Sequence, residues 1–444
     1  MIKVNGVSAS KDLEIKELLA LDENGRKGVR VHGMIYNIRD MGDFAFVILR
    51  KRGGLVQCVY NKNGGEDEKE LLKEENSVVV TGDVGDEPRA VNGIEIRVSE
   101  MRLLSSPAEE LPFAINKRNL NISIENELPI RPITLRNERR RTIFKLQAGL
   151  VEAFRAFFAE NEFTEIFSPK IVAAGAEGGA NIFKLEYFGK KAYLAQSPQF
   201  YKQMLIPVYE RVFEIAPVFR AEKHETVRHL NEYIGVDFEM GFIESFYDII
   251  NMETGMLKFA FKYVKENYSD CVKKLNIELP AIDEIPCVKF KEAKEMVAAK
   301  YNRKIKDPYD LEPEEERLIS QLFKEEYNSD FVFVTHYPIK KRPFYAMDDP
   351  ENEKYTLSFD LLYNGMEITT GGQRIHDYKT QVDKMISKGL NPDDFESYLM
   401  LHKQGCPPHG GLGMGLERFL MKLIDEKNIR ATSMFPRDIT RLNP

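Results

Sequence analysis

The chain has 444 residues, of which 43% are hydrophobic and 30% charged, and it carries a formal net charge of −7. That length exceeds one ordinary core and implies two or three domains, while the composition excludes a disordered chain. No apolar run is long enough to span a bilayer, and the negative balance argues against a general nucleic-acid coat. The start, MIKVNGVSASKDLEI, has no apolar signal core, and Cys58, Cys271, Cys287 and Cys406 are scattered without CxxC pairing. Reduced thiols in a cytoplasmic protein are therefore expected, with no zinc site and no membrane.

The first hundred residues read as β-structure. Val29, Val31, Met34 and Ile38 are interleaved with polar residues, and compact apolar runs follow at 44–49 and 55–60. Residues 66–75 are charged and leucine-bearing, hence helical, and 78–81 and 94–98 return to β-branched residues. Five short strands with a helix after the third predict an OB-type barrel over 1–104. Residues 105–130, with Ser-Ser-Pro, Leu-Pro and several asparagines, read as a hinge. Ile143, Leu146, Leu150, Phe154 and Phe157 then step by three and four, which predicts an amphipathic helix ending near Asn161. Apolar runs at 193–195, 212–219, 236–242, 331–335 and 357–363 do not alternate regularly with helices. An antiparallel or mixed sheet flanked by helices is expected over 131–444, making the whole chain α+β. A lysine- and glutamate-rich piece at about 270–330 reads as an insertion.

The chemistry-bearing residues are mostly arginines beside acids. There is no Walker-type loop, and Gly410, Gly411, Gly413 and Gly415 do not form G-x-G-x-x-G. That cluster alone would suit a tight turn or close helix packing, but Glu417 and Arg418 follow it directly. Arg220 and Glu222 sit two apart on a β-like run, which would put both on one face. They fit a salt bridge as well as a ligand site. Arginine supplies a planar fork that matches phosphate oxygens and stays charged.

Phe219-Arg220-Ala221-Glu222 followed by Arg228-His229-Leu230-Asn231-Glu232, and the run from Gly411 to Phe419, resemble motifs 2 and 3 of the class II aminoacyl-tRNA synthetases. Gln196-Ser197-Pro198-Gln199-Phe200-Tyr201-Lys202-Gln203 resembles the signature of the aspartyl-specific members. Gly371 to Asp377 and Met434-Phe435-Pro436-Arg437-Asp438 resemble their archaeal and eukaryotic branch. Ser168-Pro169-Lys170 is similar to motif 1, which in that family builds a homodimer interface.

The resemblance implies a two-step ligase that joins L-aspartate to tRNA(Asp) through an aspartyl-adenylate, using ATP and Mg²⁺. It implies that Arg220 holds the α-phosphate and the substrate carboxylate, that Glu222 accompanies it, and that Arg418 holds the γ-phosphate end and stacks on adenine. Arg228, His229, Leu230, Tyr233, Glu367, Gly415, Leu416 and Glu417 would complete the ATP site. Glu367 and Thr370 would hold magnesium, with threonine where the family usually has serine. Aspartate would be bound by Glu177, Gln199, Lys202, Arg220, Thr370 and Arg374. The cations Lys202 and Arg374 would be left uncompensated by asparagine, which would reject the amide.

In the barrel, Tyr36, Arg39, Phe46 and Gln57 would meet the anticodon, by stacking and edge contacts. A phenylalanine in a β-barrel is usually core, and that is the strong alternative for Phe46. Tyr36 falls where relatives carry tryptophan or histidine, so it leaves tRNA(Asn) open as a second partner. Against the alternatives, an asparaginyl enzyme would replace the segment carrying Lys202, and a tRNA-free synthetase would lack the barrel. An inactive paralogue would have lost Arg220, Glu367, Thr370, Arg374 or Arg418. An OB protein with an unrelated second domain would not place these residue types in this order.

Overall fold

Residues 12–65, 68–175, 181–223 and 226–443 are described in this computed structural model, and Glu177 lies outside them. The chain divides into two compact units, Met1–Asn121 and Ile122–Pro444.

The first unit is a closed barrel of β1 (Val29–Asp40), β2 (Phe44–Lys51), β3 (Gly54–Asn61), β4 (Ser77–Asp86) and β5 (Ile94–Ser105), in the order β1-β2-β3-β5-β4. Alternation of side chains along each strand sends Val31, Ile35, Ala45, Val47, Leu49, Val56, Cys58, Val78, Val80 and Ile96 to one interior core. Closure leaves no open sheet edge. The helix after β3 is short, Glu68–Leu71. The stretch after β5 is not a featureless hinge. Ile115 is buried, its carbonyl accepts the Tyr36 hydroxyl at 3.0 Å, and Asn116 donates to the Asn37 side chain and to Glu74.

The second unit contains β6 (Thr164–Glu165), β7 (Ile171–Val172), β8 (Lys184–Tyr187), β9 (Lys190–Leu194), β10 (Arg211–Phe219), β11 (Glu232–Gly241), β12 (Cys287–Lys289), β13 (Phe331–Thr335), β14 (Ser358–Tyr363), β15 (Met366–Arg374) and β16 (His409–Gly415). Eight of them form a sheet in the order β12-β13-β14-β15-β16-β11-β10-β6, and β7-β9-β8 form a small second sheet. The large sheet is antiparallel through its centre but mixed overall, because β10–β6 and β12–β13 pair in parallel at the two edges. Parallel neighbours need a long crossover, and between β12 and β13 it is the helix pair Phe290–Lys300 and Pro313–Tyr327. The piece expected to be an insertion thus also contributes an edge strand, with its own core of Val288, Phe290, Leu318, Leu322, Phe323 and Val334.

The helix Glu138–Glu160 begins under an Asn137 side-chain cap on the Arg140 N–H and ends at Asn161. Its apolar stripe packs with the helix Tyr247–Asn267 under the sheet, in one core with Phe213, Phe238, Leu361, Leu412 and Phe419. The glycine cluster near the C-terminus is neither a turn nor a helix contact. It is strand β16, paired with β11 and β15. A Cβ at Gly411 would collide with the Phe238 carbonyl and the Glu239 carboxylate, so glycine there lets β16 lie close over buried acids.

Candidate active site

A cavity of about 280 Å³ opens on the face of the large sheet opposite the long helices. Arg220, Arg374 and Arg418, distant in sequence, all line it, together with Arg228, His229, Tyr233, Glu367 and Thr370. It lies near the lower end of the size range of small-molecule sites. Strand geometry explains the assembly. Tyr233, Gly235 and Asp237 alternate along β11 and so face the same side, and Gly413 and Gly415 do the same beside them on β16. Arg220 and Glu222 do not ride on the strand as expected, since β10 ends at Phe219. They follow it in the loop to β11, where Asn231 bonds the carbonyls of both, at 2.7 and 3.1 Å. Both still reach the cavity.

At one end of the cavity, four buried charges interlock. Lys202 donates to Asp237 at 3.0 Å and to the Leu412 carbonyl at 2.7 Å, and it lies 3.5 Å from Glu239. Arg374 donates to Glu239 at 2.9 Å, to the Gly411 carbonyl at 2.9 Å and to Gln199 at 3.5 Å. Asparagine is expected to leave these two cations uncompensated, but acids of the chain itself already pair with both. Burying bare cations costs several kcal/mol, and the chain offsets that cost with its own acids. Burial pushes the Asp237 carboxyl up, against the pull of Lys202. Burial also pushes Glu239 up, but Arg374 and Lys202 outweigh it and hold it below the usual carboxylate range. Asp237 lines the cavity with Arg374 and Gln199, while Lys202 stands behind it.

At the other end, Arg418 donates to the backbone carbonyls of Arg228 and Glu367 at 3.3 and 3.2 Å. The Thr370 hydroxyl donates to Glu367 at 2.8 Å. Burial pushes the Glu367 carboxyl up, but Arg418, Thr370, Arg342 and Arg220 together hold it below its ordinary value. Glu367 is therefore ionised at neutral pH, a hard oxygen donor beside a hydroxyl and open to the cavity. Among the described residues no group of three or more His, Cys, Asp or Glu side chains could hold a metal. A two-residue site fits magnesium, which keeps waters and takes its other ligands from phosphates.

His229 takes part as a neutral ring, because burial and Arg418 push its pKa down. Its Nδ1 meets the Thr226 hydroxyl at 2.6 Å, and its Nε2 lies 3.6 Å from Glu222. Arg220 lies over the Tyr233 ring at 5.8 Å. Leu230 packs with Met366, Met421 and Ile429 at the cavity wall. Of the residues expected to complete the ATP site, Leu416 does not line the cavity, whereas Glu417 lines it and has a second duty. Leu416 is in the main core and not at the cavity. Glu417, at the cavity wall, also accepts the Ile234 N–H at 3.0 Å, and burial pushes its carboxyl up to about 8, so it braces helix against strand.

In the barrel, Arg39 and Phe46 are cross-strand partners on β1 and β2. Phe46 alternates with the interior residues Ala45 and Val47, so it belongs to the outer face and not to the core. Gln57 opposes Ile48, two residues from Phe46, which puts it on that same face, with its amide on Glu95 at 3.2 Å. Tyr36 differs. It is buried, its hydroxyl is held by Ile115, and Arg50 lies 5.6 Å over its ring.

Several site residues escaped the sequence reading. Asp237 and Glu239 carried a signal: two acids alternating in the apolar strand Ile234–Met240. Arg342, which lines the cavity, its partner Asp360 at 2.7 Å, and Glu316 behind Arg228 carried none, because only the fold brings them near the site.

The family described as tRNA synthetases class II (D, K and N) matches residues 123–439, and an OB-fold nucleic acid binding domain family matches residues 29–104. Curated relatives include the aspartate–tRNA(Asp/Asn) ligase of Aeropyrum pernix, 42% identical over 98% of this chain and 100% of that protein. The aspartate–tRNA(Asp/Asn) ligase of Deinococcus radiodurans is 43% identical over 96% of this chain and 97% of its own length. Among solved structures, an asparaginyl-tRNA synthetase from Pyrococcus horikoshii bound to asparaginyl-adenylate superposes with a TM-score of 0.89 at 30% identity, covering 98% of this chain and 99% of that one. A mostly antiparallel sheet that lines its cavity with arginines, on a chain that also carries an OB barrel, agrees with these matches to aminoacyl-tRNA ligases. The chain belongs to the class II tRNA synthetases of the D, K and N group.

Proposed function

We propose that the protein activates L-aspartate with ATP and transfers it to tRNA(Asp). The observation that carries this reading is the single cavity shared by Arg220, Arg374 and Arg418, with Lys202 and Asp237 at one end. The aspartate α-carboxylate attacks the α-phosphorus of ATP, and pyrophosphate leaves. Arg220 offsets the charge on the α-phosphate and on the attacking carboxylate, and Arg418 and Arg228 hold the departing phosphates. Catalysis of this kind is positioning and electrostatics, with no covalent link to the protein. Glu367 and Thr370 would hold Mg²⁺, which would supply positive charge to offset that of the phosphates.

The β-carboxylate is read by the Lys202–Asp237–Arg374–Glu239 cluster. An extra negative charge is accommodated there because Asp237, with its raised pKa, takes up a proton or shifts off Lys202. A neutral amide gains no such exchange. Glu177 and Gln199 are assigned to the substrate ammonium. The outer face bearing Arg39, Phe46 and Gln57 is assigned to the anticodon, and Tyr36, buried against Ile115, is not. The relatives named for both tRNA(Asp) and tRNA(Asn) support a broad choice of tRNA. Phe167, 85% exposed, and Ile171, 48% exposed, flank Ser168-Pro169-Lys170 and support a homodimer through that segment. Among the described residues no helix is long and apolar enough to cross a membrane. We place the enzyme in the cytoplasm.

ATP–pyrophosphate exchange with aspartate and then asparagine tests the substrate, and charging of tRNA(Asp) and tRNA(Asn) transcripts tests the partner. Exchange with asparagine alone would overturn the assignment. Sedimentation of the protein and of Phe167→Ser tests the dimer.

A further inference from the structure

We infer that Glu316, on the helix Pro313–Tyr327, is a positioning residue that holds Arg228 ready for the ATP phosphates. The inference rests on the functional reading above. Arg228 sits in the polar loop between β10 and β11, and an arginine free to rotate there would lose about 2 kcal/mol of rotamer freedom on meeting a ligand. Glu316 removes that freedom in advance. One carboxylate oxygen, Oε2, accepts from Arg228 Nη2 and, at 3.3 Å, from the backbone N–H of Glu367. From the other side Arg418 donates to the carbonyls of the same two residues, at 3.3 and 3.2 Å. The loop arginine and the carboxylate at the start of β15 are thus clasped between Glu316 and Arg418.

The clasp is itself anchored. On the same helix, Glu315 forms a buried pair with Lys294 at 2.7 Å and accepts the Glu312 N–H at 2.9 Å, closing a capping box. Glu316 is 8% exposed and does not line the cavity, whereas Arg228 does. Its action is therefore through Arg228 and not on substrate. A carboxylate on a guanidinium also presents to the arginine what a phosphate would, so the fork is kept in a phosphate-receiving orientation without closing the cavity. The helix pair at 290–327 thereby gains a task beyond filling the sheet edge: it delivers one carboxylate to the back of the ATP-phosphate site.

The test is Glu316→Gln, assayed by ATP–pyrophosphate exchange with aspartate. The expected result is a KM for ATP raised about tenfold, the loss of one charge-assisted hydrogen bond, with the KM for aspartate within about twofold and the melting temperature kept. In an Arg228→Ala background the same substitution is expected to change the ATP KM no further. An ATP KM unmoved by Glu316→Gln, equal rises for both substrates, or a full further rise in the Arg228→Ala background would overturn the role. Should the glutamine variant fail to fold, Glu316→Asp, one methylene short of the guanidinium, is expected to raise the ATP KM in the same direction, and an unchanged value overturns the role equally. Wild-type protein that exchanges with no amino acid would sink the functional reading itself. An active wild type with an unmoved variant sinks only Glu316.

Discussion

Replacing Lys202 with methionine tests both the substrate reading and the electrostatics beneath it. The side chain is 1% exposed, and its ammonium contacts Asp237 at 3.0 Å, Glu239 at 3.5 Å and the Leu412 carbonyl at 2.7 Å. Methionine preserves most of the volume, so packing changes little, but two buried carboxylates lose a cation, and of the two only Glu239 is paired with Arg374. Removing one partner of a buried pair costs about 3–5 kcal/mol. Protonation limits the cost here, because burial already pushes the Asp237 carboxyl up and loss of Lys202 pushes it further. A folded pKa raised above the unfolded value gives stability that is full at low pH and falls as pH rises through the folded pKa. The variant is therefore expected to be nearest to wild type in stability below about pH 4 and to weaken progressively relative to it as pH rises.

In the same variant the KM for aspartate should rise at least about a hundredfold, since 1.4 kcal/mol is tenfold, while the KM for ATP stays within a few-fold. Denaturant unfolding as a function of pH and pyrophosphate exchange measure both. Equal losses for aspartate and ATP, or a stability loss that does not depend on pH, would refute the reasoning.

Glu253, wholly buried on the helix Tyr247–Asn267, has its carboxyl pushed up to about 8 by burial. It binds a proton on folding, so it should make wild-type stability fall as pH rises from about 4.5 to 8. Glu253→Gln should flatten that slope in urea titrations, and an unchanged slope would assign it to other groups. Thr370→Ser should leave magnesium dependence of exchange close to wild type, whereas Thr370→Ala, which deprives Glu367 of its hydroxyl partner, should raise the half-saturating magnesium concentration several-fold. Gly411→Ala should lose about 1–3 kcal/mol in thermal unfolding by overpacking against Phe238 and Glu239, and a neutral result would mean that β16 can retreat.

Local pattern settled much of this protein. Alternating apolar residues at 29–60 and 77–98 could bury one face only as strands, and the 3.6-residue spacing from Ile143 to Phe157 could do so only as a helix. The arginines and the Gln196–Gln203 segment announced phosphate and carboxylate chemistry, because few residue types can perform it. Tertiary structure decided the rest, since it depends on which distant residues meet. It made the C-terminal glycines a strand, because their worth lies in a neighbour's closeness, which no local window contains. It moved Phe46 out of the core by register and turned Leu416 inward. It paired Lys202 and Arg374 with Asp237 and Glu239, because a buried cation must find an anion and only the folded sheet determines which one. By the same rule it carried Glu316 across from the 313–327 helix to the back of Arg228.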